Sequence, residues 1–188
     1  MNREIIAVVG PIASGKGTII DYLVALGYTK ISLSEIVREE AKKIGLEFTR
    51  ENLQNVGDSL RHEFGNDYLA KKVSERILLL RKENSDCKLV IDSIRNPSEL
   101  KYFKNIFKIY VIGTIASPEM RFTFVKHRGR RGDPMSWEEF EKLEKRDRGL
   151  GQEAHGQQVD AVIKMADVIL HPTGKQEDLI NQLQSVLH

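Results

Sequence analysis

The chain has 188 residues, of which 30% are charged and 40% hydrophobic, with a formal net charge of +2. That length suits one domain with a sizeable core, and so small a charge excess gives no ground for a nucleic acid or a membrane as partner. A single cysteine, Cys87, excludes an internal disulfide and a cysteine metal cluster and suits a reducing compartment. No apolar run approaches the roughly 20 residues of a membrane span, and the N-terminus leads straight into a strand, so a cytoplasmic location is expected.

The apolar run Ile5-Ile6-Ala7-Val8-Val9 is followed by Gly10-Pro11-Ile12-Ala13-Ser14-Gly15-Lys16-Gly17-Thr18 and then by Ile19-Ile20-Asp21-Tyr22-Leu23. This reads as a buried strand, a glycine turn and a helix start, with Gly10, Gly15 and Lys16 at the spacing of a phosphate-binding P-loop. Glycines let successive backbone N–H groups curl around an anion. The helix N-terminus adds partial positive charge, and Lys16 can reach the outer phosphates. Gly17 stands where the general pattern has Ser or Thr, and the hydroxyl arrives one residue later at Thr18. Gly10, Ala13, Ser14, Gly15, Lys16, Gly17 and Thr18 are therefore the expected donor-phosphate site.

Apolar residues at helical spacing carry this helix to Gly27, and Tyr28 to Ile31 forms a second strand. Ser32 to Glu35 has the capping-box pattern and starts a helix through Arg38 to about Lys43. Gly45 breaks it, Thr49 caps the next, and a long helix lies between Asn66 and Arg81. Lys88 to Asp92 is a third strand ending in a carboxylate, and Asn96-Pro97-Ser98 opens a helix through Phe103. Phe107 to Gly113 is a fourth strand, and Ser117-Pro118 starts a helix by the cap-then-proline rule. It runs into the basic, glycine-punctuated segment Lys126 to Pro134, and Ser136 to Glu139 launches a further helix to about Arg148. A helix over about Gln157 to Met165, the strand Val168 to Leu170 and a C-terminal helix complete the chain. Apolar strands alternating with helices imply a five-stranded parallel sheet covered on both faces, a three-layer α/β fold of the P-loop NTPase type. Ligands in such sheets bind at the carboxyl edge, where Gly10, Ser32, Asp92 and Thr114 fall.

Asp92 is placed to orient a hydrated Mg²⁺ beside the loop, together with Thr18. Arg95, one turn later, points towards the phosphates, and Arg38 could clamp a phosphate on a second substrate. Arg128, Arg130 and Arg131, with Arg146 and Arg148 beyond the following helix, form a basic cluster. A nucleic-acid patch is disfavoured by the lack of interleaved aromatics. A glycine-hinged lid over the P-loop fits better, since such arginines are worth roughly 10³–10⁵ in rate in phosphoryl transfer, and closure excludes water. The five histidines have no metal-ligand spacing, and Trp137 and Phe140 read as packing residues.

On these residues the chain resembles the P-loop nucleoside-monophosphate kinases. The loop ending Gly15-Lys16-Gly17-Thr18 is that of the adenylate kinases, which accounts for Gly17. The likeness implies ATP and Mg²⁺ as cofactors. It also implies Ser34, Arg38 and Arg95 as acceptor-binding residues, and Lys16, Arg95, Arg128, Arg131 and Arg148 as catalytic ones. Thr173 and Gly174 fall where that family meets the adenine. Over most of its length the chain is more similar to the adenylate-kinase-related and dephospho-CoA-kinase-like group. Shared features are Arg50-Glu51-Asn52-Leu53, Asp92-Ser93-Ile94-Arg95, Ser117-Pro118-Glu119-Met120-Arg121-Phe122 and the Asp147-Arg148 region. The likeness implies one kinase domain with an acceptor-binding insertion over about 32–85 and a lid over about 127–149.

A hydroxyl acceptor benefits from a carboxylate base, and dephospho-CoA kinases carry an aspartate just after the second strand, where this chain has Ser32 and Ser34. A phosphate acceptor needs cations instead, which Arg38 and Arg95 supply. A small-molecule acceptor, either a nucleoside or a deoxynucleoside monophosphate, is therefore expected. Dephospho-CoA or another metabolite is the alternative, and an ATPase switch binding a protein or RNA partner is the reading from a different class.

Overall fold

A computed structural model describes residues 3–129 and 133–187. The arginines Arg130 and Arg131 of the expected lid lie outside the described residues. Five strands are formed: β1 (Ile5–Val9), β2 (Thr29–Ser32), β3 (Leu89–Asp92), β4 (Ile109–Thr114) and β5 (Val168–Leu170). They build one all-parallel sheet in the order β2-β3-β1-β4-β5, as the apolar strands predict. Between them run α1 (Lys16–Ala25), α2 (Leu33–Lys43), α3 (Arg50–Phe64), α4 (Tyr68–Glu83), α5 (Pro97–Ile106), α6 (Pro118–Arg128), α7 (Trp137–Arg148) and α8 (Val159–Ile163), with α9 (Gln176–Leu187) last. No helix among the described residues is long and apolar enough to cross a membrane.

Alternation along each strand divides the core into two layers. Ile5, Ala7 and Val9 of β1 face a cluster holding Ile36, Val73, Leu100 and Val162, whereas Ile6 and Val8 face one holding Ile19, Leu23, Leu179 and Leu183. One layer is thus covered by α2, α4, α5 and α8, and the other by α1 and α9. A third cluster, Ile12, Val125 and Phe140, lies outside the sheet and seats α6 and α7 on the loop after β1. Phe122, Trp137 and Phe140 pack there at ring separations of 5.4–5.5 Å, which matches their reading as packing residues.

Two helix starts depart from their expected chemistry. The capping box at Ser32 does not form: the Ser32 hydroxyl makes no cap bond and instead pairs with the hydroxyls of Ser34 at 2.9 Å and Ser93 at 3.1 Å. Tertiary proximity of β2 and β3 offers it a better partner than the helix does. A complete box forms at α5, where Asn96 accepts from the Ser98 N–H and Glu99 reaches back to the Asn96 N–H.

Candidate active site

The P-loop leaves β1 at Gly10, turns, and re-enters helix at Lys16. Gly10 has φ +154°, and a Cβ there would lie 2.4 Å from the Thr114 hydroxyl. Gly15 has φ +89° and would meet Leu179 at 2.9 Å. Both positions need glycine, for backbone conformation and for close approach alike. Ala13 also has positive φ, +57°, as does Ser93 at +68°. Non-glycine residues held in that region are costly and cluster at functional sites; here both line the same cleft. Gly17 has open space around it, so its lack of a side chain leaves the loop mouth clear.

Ser14 is buried and its hydroxyl pairs with that of Thr114 at 2.6 Å. It therefore offers a ligand its backbone N–H rather than its side chain. Lys16 folds over the loop, donating to the carbonyls of Gly10 at 2.8 Å and Pro11 at 2.6 Å. Loss of water around its ammonium, followed by the nearby Arg95 charge, lowers its pKa to about 8. A cleft of about 1270 Å³ opens above the loop. Its lining includes Gly174, Lys175 and Gln176 as well as Ser34, Arg38 and Arg50.

The expected residues divide into those the fold gathers and those it does not. Ala13, Ser14, Gly15, Lys16, Gly17, Thr18, Ser34, Arg38, Asp92, Arg95, Arg128 and Gly174 all line the cleft. Gly10 lies beneath the loop, its carbonyl bound to Lys16. Thr173 is exposed and bonds Asp178 of α9, tying down the β5–α9 turn rather than lining the cleft. Arg148 is displaced from its expected position. It donates to Asp160 at 2.9 Å and lies off the cleft, because the last turn of α7 faces α8. Arg146 likewise turns to Asp58 of α3, at 2.7 Å.

Three residues that hold the site together were noted in the sequence only as parts of shared motifs, with no role given to them. Asp147, 1% exposed, bonds the Arg95 guanidinium and accepts the Ile12 N–H at 3.2 Å. Arg121, 2% exposed, pairs with Glu144 and donates to the Ile12 carbonyl at 3.3 Å. The outer turn of the P-loop is thus pinned at both poles of one peptide residue by α6 and α7. Arg50 lines the cleft from the start of α3, and its pKa is lowered to about 10 by desolvation and by the neighbouring Arg95 and Arg128. Its carboxylate neighbour is Asp133, at 3.6 Å, and Asp133 also receives two hydrogen bonds of 2.7 Å from Arg128.

Asp92 sits at the cleft floor, 3.7 Å from Lys30, with one oxygen accepting the Ser93 N–H. Among the described residues no group of three His, Cys, Asp or Glu side chains could hold a metal by itself. One hydroxyl and one carboxylate beside a phosphate loop is nevertheless a donor set that suits Mg²⁺, which keeps most of its ligands as phosphate oxygens and water.

The 2-3-1-4-5 sheet with a P-loop after β1 defines the fold of the P-loop kinases. The chain is similar to a gluconokinase from Sinorhizobium meliloti (TM-score 0.55, 14% identity, 99% of this chain and 93% of that one) and to a shikimate kinase from Bacteroides thetaiotaomicron (0.55, 13%, 97% of each). It is also similar to TT1252 from Thermus thermophilus (0.62, 23%, 100% and 97%). No protein-family model matches the chain. By sequence it belongs to the UPF0200 family: a UPF0200 protein of Thermococcus gammatolerans is 33% identical over 97% of this chain and 93% of that protein. One of Methanocaldococcus jannaschii is 31% identical over 97% and 88%.

Proposed function

We propose that the chain is an ATP-dependent kinase that transfers the γ-phosphoryl group to a nucleoside or deoxynucleoside monophosphate. The observation that carries this is the charge of the cleft. Arg38, Arg50 and Arg95 line it, and the position just after β2, where a base for a hydroxyl acceptor would stand, is filled by the linked hydroxyls of Ser32, Ser34 and Ser93. An anionic acceptor needs clamps and no base.

In this reading the P-loop amides, the α1 N-terminus and Lys16 hold the donor phosphates, and the ammonium leaves the Gly10 and Pro11 carbonyls to do so. Thr18 and Asp92 would hold Mg²⁺, which supplies charge neutralisation on the donor phosphates. Gly174 and the turn around it border the adenine. Arg38 and Arg50 fix the acceptor phosphate so that one of its oxygens attacks the γ-phosphorus as the bond to ADP breaks. Arg95 and Arg128 neutralise the charge spread over the moving group. Residues 32–85 form the acceptor-binding insertion. Residues from about 127 to 149 form the lid, whose α7 is seated on Ile12 of the P-loop through Phe140.

A hydroxyl-bearing metabolite is the second reading, favoured by Asp92 as a cleft carboxylate and by the gluconokinase and shikimate kinase among the fold relatives. A panel of nucleoside monophosphates, dephospho-CoA, gluconate and shikimate, assayed for ADP release from ATP, tests both. Stimulation by monophosphates is expected. Stimulation by hydroxyl acceptors alone would replace the first reading with the second, and slow hydrolysis indifferent to every acceptor would leave an ATPase switch.

A further inference from the structure

The first turns of α3 carry Arg50, Leu53 and Gln54 to the cleft at i, i+3 and i+4. This stripe is where a helix of this kind ordinarily places apolar core residues. Gln54 is only 5% exposed. Its Nε2 donates at 3.3 Å to Oε1 of Gln157, itself 4% exposed, and Gln157 also lines the cleft. The Gln54 carbonyl oxygen is buried with no hydrogen-bond partner. Such an orphan costs roughly 1–3 kcal/mol, and native proteins keep few of them without a reason. Because the Gln157 contact uses the Gln54 amide nitrogen, the pole of the Gln54 amide left over in this structure is an acceptor.

The surroundings say what kind of donor. Leu53 lines the cleft beside Gln54, and Phe48, 49% exposed, lines it at the turn before α3. An exposed aromatic face with an aliphatic neighbour suits a flat ring, and the Arg38 guanidinium lies 5.9 Å from the centre of the Phe48 ring. Flat ring, buried amide acceptor and arginines thus line one cleft.

We propose that the Gln54–Gln157 amide pair sets acceptor specificity, the Gln54 carbonyl taking a hydrogen bond from the exocyclic amino group of a nucleobase that rests on Phe48 and Leu53. This deepens the nucleotide-kinase reading and rests on it. A site built around a buried acceptor discriminates against an analogue lacking the donor, because the amide oxygen is then left unpaired.

The test compares nucleotides that differ by one amino group: AMP with purine riboside monophosphate, GMP with IMP, and CMP with its 4-deamino analogue. For the best acceptor, loss of the amino group is expected to lower kcat/KM about tenfold or more, mainly through KM. In Gln54→Leu the ratio should shrink to about twofold, with the KM for ATP little changed, whereas the KM for the acceptor rises. Gln157→Leu, which frees the Gln54 amide to turn, should reduce the ratio part of the way. Preference for UMP or dTMP, a wild-type ratio near one, or an unchanged ratio in folded Gln54→Leu would each overturn the proposal while leaving a nucleotide kinase in place. If no monophosphate stimulates ADP release, the nucleotide-kinase reading falls and takes this one with it. The wild-type comparison needs no variant, so a Gln54→Leu protein that fails to fold does not protect the idea.

Discussion

Lys16 lies between two demands. It must stay charged for a phosphate, yet it is stripped of water by burial and faces the Arg95 charge, which brings its pKa from the ordinary 10.5 to about 8. In the folded chain it releases its proton at lower pH than in the unfolded one, so its contribution to stability improves as pH rises from 8 towards 10.5. Nucleotide phosphates should restore the charge. Binding of ATP at about pH 9 is therefore expected to take up close to one proton, and at about pH 7 very little. Calorimetry in buffers of different ionisation enthalpy measures this; equal uptake at both pH values would show the ammonium to be unperturbed. Arg38 offers a second residue-scale check. Arg38→Ala should raise the acceptor KM about tenfold more than the ATP KM, and parallel changes in steady-state kinetics would exclude it as the acceptor clamp.

At the scale of elements, the helices that surround the loop are held by buried polar groups as much as by apolar ones. Glu99, fully buried at the start of α5, accepts from Arg61 of α3 at 2.7 Å and from the N–H groups of Arg95 and Asn96 at 2.8 and 3.0 Å. Glu99→Gln leaves the buried Arg61 guanidinium with Asp58, at 3.2 Å, as its remaining charge partner and should cost about 2 kcal/mol in urea unfolding; a loss under about 1 kcal/mol would mean that Asp58 and water replace the carboxylate. Phe140 is the apolar anchor of α7 on Ile12. Phe140→Ala should destabilise by about 3–5 kcal/mol and weaken ATP binding as the loop loses its backing, which equilibrium unfolding and nucleotide titration would report together. The strands and most helices were readable because their period and caps are local. The polar inner face of α3, with Gln54 and Arg61 buried, was not, since a sequence shows polar residues and cannot show that Glu99 and Gln157 await them. For the same reason the roles of Asp147 and Arg121, seen in the sequence only as parts of shared motifs, were not legible. Their partner, Ile12, is more than 100 residues away.

For the molecule as a whole, the sheet brings one carboxyl edge together, and α6 and α7 pack on the P-loop at Ile12. A ligand that binds only this assembled cleft stabilises it by mass action, by about 2.7 kcal/mol at a hundredfold excess over its Kd. Thermal melts with saturating ATP should show that gain in the wild-type chain and lose most of it in Lys16→Ala; an undiminished shift would place the nucleotide elsewhere. By itself the sequence determined the parallel α/β sheet and the P-loop, because strand alternation, glycine spacing and a lysine at a helix start are features of short stretches. It also supplied Arg38, Asp92 and Arg95 as cleft residues, through their places after strand ends. Only the tertiary structure decided that Arg148 faces Asp160 while Arg50 faces the cleft, and that the Ser32 hydroxyl meets Ser34 and Ser93 instead of capping its helix. Those outcomes turn on which side chains meet across the fold, and burial sets that through contacts far apart in the chain.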